Sequence, residues 1–440
     1  MTAIGILSGR ALGSTAPLAL RQQIFAALRQ RDLGYYSESV ESKFQELLSR
    51  MPVSEDYSSF DAFVTPHWYW ERMTGDDVLA HEARYRGWVG SAVDHLVESH
   101  TTPAAQVARL EELARLFDGA CIKESASFEF VLALAQRHPP FVPAFIEYVA
   151  RSPLPLLGLE IRAILGPLRE SSFESYLTLG LNLAVHPEPS VALGVANGVY
   201  WIEEDGPRPG DLEIIGLLSR HPAPTVRVQA VSLAGRAGRK PLFAADAAQI
   251  ISSTDLAGAD LGFNLWMAVG HYGTPARAFT HEQMARVLRN LVPIDRIDQN
   301  HYDELLGEVA DIWPDLVAEL LLARLQHVRK EESEYTAWGG LNFAEYFTRL
   351  PKSPRFEGLL RSACDFAVDK EETDYFAREL FWAMAGSDPR ADKLLSEWST
   401  HVDIKRRELA ERWNAHRGYD PPQNFRARNR YDTGLDRAAR

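Results

Sequence analysis

Cysteine is almost missing from this chain: Cys121 and Cys364 stand alone among 440 residues. Two thiols so far apart cannot form a disulfide framework, and both lie in apolar helical patterns, which predicts buried thiols in a reducing compartment. Long apolar runs are missing as well. Residues such as Glu160 and Arg162 interrupt the longest ones, so none reaches the roughly 18 residues that suggest a membrane span. The stretch from Met1 to Leu7 has neither the basic leader nor the apolar length of a signal peptide. A cytoplasmic protein with no membrane partner is the expectation.

Catalytic motifs are lacking too. Gly9-Arg10-Ala11-Leu12-Gly13-Ser14-Thr15 has no P-loop lysine after it, and there is no Gly-x-Ser-x-Gly and no Gly-rich dinucleotide turn. Neither His-Glu-x-x-His nor Cys-x-x-Cys occurs. No catalytic residue, cofactor or metal is therefore expected, and a non-enzymatic role is favoured. Positive charge is in deficit, with 47 Lys and Arg against 60 Asp and Glu, net −13. Residues 404–440 run against this trend: ten basic against five acidic side chains make them +5 and leave −18 on the rest. So acidic a body repels phosphate backbones and attracts basic proteins. Nucleic acid is disfavoured as a partner for the body and stays open for 404–440.

What the chain has is a recurring punctuation mark. Ser152-Pro153-Leu154-Pro155, His186-Pro187-Glu188-Pro189 and His221-Pro222-Ala223-Pro224 follow one another at steps of 34 and 35 residues, each before an apolar helical pattern. Each proline disfavours helix in the residue before it, so these tetrapeptides are junctions. After the third, Val226, Ala230, Leu233 and Ala234 fall on one helix face, and Gly235 and Gly238 are expected to end that helix. A second helix is expected over residues 242–252. One period earlier Val191, Val195 and Val199 take the equivalent places, with a partner helix at 211–220. One period later Leu261, Leu265, Ala268 and Val269 do, with Gly270 matching Gly235. Thr280-His281-Glu282-Gln283 reads as a capping box opening a further helix. Upstream, Thr102-Pro103 predicts a cap and first helical turn, with Val107, Leu110, Leu113, Ala114 and Phe117 making an apolar face. Phe60 to Trp70 reads as an irregular aromatic segment.

A period of this length, with two short helices per period, signals stacked repeats. Pro224-Thr225-Val226-Arg227, followed by Ala230, Leu233 and Gly235, resembles the first helix of a HEAT repeat; Pro224 resembles that family's kink proline and Arg227 its recurring basic residue. The resemblance implies an all-α, right-handed solenoid of antiparallel helix pairs. The expected organisation is an N-terminal helical cap at 1–75, a HEAT-like solenoid at 76–403, and a basic helix with a mobile tail at 404–440.

Some HEAT-repeat hydroxylases bind iron through four His-Glu steps at repeat spacing. Only His81-Glu82 and His281-Glu282 occur here, 200 residues apart, so no metal is expected from that resemblance. Candidate partner-binding residues are the aromatic and charged Trp68, Trp70 and Arg72, and the inter-helix group Trp201, Glu203, Glu204 and Asp205. Trp and Arg are frequent anchors of protein interfaces, and three acids in one loop suit a basic partner. The leading expectation is a protein-binding scaffold, in the manner of a bacterial regulatory or toxin-neutralising immunity protein; the Ala- and Arg-rich usage fits a GC-rich bacterial gene. A HEAT-like glycosylase or lyase, and an adaptor tethered through 404–440, are the alternatives.

Overall fold

Proline opens helix after helix. In the computed structural model, seven α-helices among the described residues have proline as their first residue, at positions 103, 155, 189, 209, 224, 314 and 389. Proline's fixed φ suits the first helical turn, where its missing N–H has no helical partner to lose. The model describes residues 55–66, 78–118, 125–199, 206–256, 265, 267–270, 273–293, 299–331, 345–369, 381–382 and 388–415. Among them the structure is all-helical; an isolated bridge between Val269 and Thr274 is the sole β-type pairing.

The chain divides into two units, Met1–Ala230 and Val231–Arg440. The first holds α1 (Glu55–Val64), α2 (Val78–Ser99), α3 (Pro103–Asp118), α4 (Ser127–Arg137), α5 (Phe141–Arg151), α6 (Pro155–Leu159), α7 (Arg162–Ser171), α8 (Phe173–Ala184), α9 (Pro189–Gly198) and α10 (Pro209–Leu218). Helix α11 (Pro224–Gly238) has residues on both sides of the division. The second holds α12 (Ala244–Ser253), α13 (His281–Arg289), α14 (Gln299–Ile312), α15 (Pro314–Glu331), α16 (Phe356–Asp369), α17 (Pro389–Ser399) and α18 (Ile404–Ala415).

In unit 1, α6 packs on α9 and α7 on α8, and several helices also pack on the next but one. Helix α2 packs on α4, α3 on α5, α7 on α9 and α8 on α10. In unit 2, α12 packs on α13, α13 on α15, α15 on α16, and α16 on both α17 and α18. Each helix thus covers the apolar stripe of a near neighbour in sequence. The stripes are those expected: Val226, Ala230, Leu233 and Ala234 are buried, as are Val191, Val195 and Val199, and Leu212, Ile215 and Leu218. Most long-range side-chain hydrogen bonds among the described residues span 32 to 43 residues, while the Tyr85 hydroxyl donates to the Thr65 carbonyl 20 residues away.

Three expectations are corrected. Part of the segment read as irregular is helical: α1 extends to Val64, with Phe60 and Phe63 fully buried and Phe63 edge-on to Phe130 at 5.8 Å. Gly235 does not end its helix; α11 runs through it to Gly238. A Cβ at Gly235 would lie 2.3 Å from the Ala268 Cα, so the glycine lets two backbones approach. Nor does Gly270 match Gly235. It has φ +89°, and its N–H donates to the Thr274 carbonyl at 2.9 Å, closing a turn. The helices expected in the first 50 residues lie outside the described residues, as does Cys121; Cys364 is buried in α16.

Candidate interaction surface

None of the seven sequence-predicted partner residues falls within the described structure. Trp68, Trp70 and Arg72 lie in 67–77, and Trp201, Glu203, Glu204 and Asp205 lie in 200–205. The residues bordering 200–205 are well defined. On one side, the Val199 N–H donates back to the Val195 and Ala196 carbonyls and closes α9. On the other, Gly206 turns the backbone at φ +68° and presents its carbonyl to Arg169 Nη2 at 3.3 Å.

That contact belongs to a buried network. Arg169 of α7 donates to both carboxylate oxygens of Asp211, from Nε at 3.2 Å and Nη2 at 2.7 Å, and both residues are at most 1% exposed. The Tyr176 hydroxyl donates to Asp211 Oδ1 at 2.8 Å, and the Arg208 N–H donates to Oδ2 at 2.8 Å. Burial, reinforced by the Asp211 charge, pushes the Tyr176 phenol far above its ordinary range and keeps it a donor. Arg208 completes the arrangement: its Nη1 donates to the Arg169 carbonyl at 3.1 Å, and its guanidinium lies 4.7 Å over the Phe173 ring. Helices α7, α8 and α10 are joined by one carboxylate, whose lone pairs are taken up by four donors.

A second buried carboxylate sits between α6 and α7. Glu160, 1% exposed, accepts from Ser127 Oγ at 2.6 Å and from Arg162 Nε at 2.9 Å. Burial raises the Glu160 acid above the usual carboxylate range, against the lowering pull of Arg162 and Ser127. A raised folded-state value means that protonation is favoured by folding. Its stabilising contribution is complete below the unfolded value and is lost as pH rises through the folded one. Glu160→Gln should therefore gain stability relative to the parent as pH rises from acid toward neutrality. Paired urea titrations across that range test this; a constant difference would refute it.

The junction histidines are structural. His221 Nδ1 accepts the Ala223 N–H at 3.1 Å, while its Nε2 lies 3.0 Å from the His186 carbonyl, which can only accept. These contacts fix the Nε2–H tautomer and link two junctions 35 residues apart. His186 Nδ1 likewise accepts the Glu188 N–H at 3.1 Å. A third example went unread in the sequence because it lacks prolines: His401 Nδ1 accepts the Asp403 N–H at 3.1 Å. Six residues after the histidine, a side chain from the next helix returns to its carbonyl. Arg227 reaches His221 at 3.0 Å, Arg407 reaches His401 at 2.6 Å, and Gln106 reaches His100 at 3.0 Å. The spacing His-x5-Arg was the available signal for His221 and His401; six residues after His100 the residue is Gln106. His221→Ala should cost about 1–3 kcal/mol, because it strands the Ala223 amide and the His186 carbonyl. A lowered urea midpoint with an unchanged m-value would be the expected reading.

His281 and Glu282 open α13, where the expected capping box is present: the Gln283 N–H donates to Thr280 Oγ1 at 3.2 Å and the Thr280 N–H to Gln283 Oε1 at 2.8 Å. His281 Nε2 is 2.8 Å from Asp315 Oδ2, 34 residues away, and its ring meets Trp313 edge-on. His81 is buried in α2. Among the described residues no group of three or more His, Cys, Asp and Glu side chains is placed to hold a metal ion. Nor, among them, is any helix long and apolar enough to cross a membrane. No family model, curated protein or solved structure matches this chain.

Proposed function

We propose that this protein is a HEAT-like, right-handed solenoid scaffold that binds a basic protein partner. In this reading it acts by shape and charge complementarity, as a bacterial regulatory or toxin-neutralising protein does, without bond chemistry. The observation that carries it is the register of the long-range side-chain bonds, 32 to 43 residues apart from Ser127–Glu160 in unit 1 to Arg361–Glu397 in unit 2. Contacts of this span among the described residues are what a stack of helical pairs would make, and stacked repeats offer extended surfaces for docking. The described buried polar side chains of the Asp211 and Glu160 clusters support the same reading, because each is committed to holding helices together. The acidic body supplies the charge preference.

In this reading Trp201, Glu203, Glu204 and Asp205 meet the partner. The Arg169 contact to Gly206 and the closed end of α9 hold the chain on either side of them. Capture from native lysate at low and high salt tests the proposal. Basic proteins should be retained at low salt and released at high salt. Replacing Glu203, Glu204 and Asp205 together by lysine should abolish retention while leaving the melting temperature unchanged. Retention of nothing basic at low salt, or retention indifferent to the triple replacement, would refute it.

A further inference from the structure

We draw no further inference here: the strongest candidate, the exposed apolar turn of Val402 and Ile404 between α17 and α18 beside Lys405, carries nothing because the structure does not show what covers it.

Discussion

Asp211→Ala should be among the most damaging single substitutions in unit 1, at about 3–5 kcal/mol. The carboxylate accepts from Arg169, from the Tyr176 hydroxyl and from the Arg208 amide, all within 3.2 Å. Its removal leaves a guanidinium that is 1% exposed with its closest counter-charge gone and no water to replace it. Glu170, whose carboxylate lies 3.3 Å from Nη1, is 65% exposed, so solvent screens what it can offer in place of Asp211. Two comparisons separate charge from shape. Asp211→Asn keeps one acceptor oxygen and should still lose most of the stability, because the charge pair is gone. Arg169→Met combined with Asp211→Leu removes both charges and should recover much of the loss, since a buried ion pair replaced by apolar groups is often close to neutral. Urea midpoints of the four proteins decide the matter. If Asp211→Ala costs less than about 1 kcal/mol, the network is not the clamp described here.

Gly235→Ala and Gly87→Ala should change stability in opposite directions. Both glycines lie inside helices, α11 and α2, where alanine ordinarily gains about 0.5–1 kcal/mol. Around Gly87 no atom lies within 4 Å of an added Cβ, so that gain is expected in full. At Gly235 the new methyl would meet the Ala268 Cα at 2.3 Å and the Ala268 carbonyl oxygen at 2.6 Å. Backbone cannot swing aside as a side chain can, so the two segments must separate, at a cost of roughly 1–3 kcal/mol or more. Thermal melts of the two variants give the sign directly. A stabilised Gly235→Ala protein would mean that the close approach is absent in solution.

These two glycines also mark the limit of what could be read without coordinates. Proline-led helix starts, the Thr280 capping box and the apolar stripes of α9, α10 and α11 were legible because each depends on neighbours three or four residues away. Gly235 was misread because a glycine near the end of a helical pattern and a glycine at a backbone crossing look alike until Ala268 is in place. The Arg169–Asp211 pair spans 42 residues with no local signature on either side. Arg324 shows the same limit: it is fully buried in α15 and donates at 2.5 Å to the Leu291 carbonyl beyond the end of α13, a target every residue type offers equally. The junction histidines were legible by their recurrence. Their arginine clasps were not, since Arg227 was read as a family feature and Arg407 as part of a basic cluster. Of the proposed partner residues, the sequence supplies the chemistry and the described structure supplies only the flanks.

The register of 32 to 43 residues has a consequence for how this chain would respond to force. In the proposed solenoid, ties of this span would join only neighbouring helical pairs, so segments could re-form without waiting for distant partners. Pulled from its ends, such a chain would surrender helical pairs one after another. Each release of about 35 residues would add on the order of 120 Å of contour at roughly 3.5 Å per residue. On that reading, extension would come in steps and re-formation would start from the helical pairs still folded.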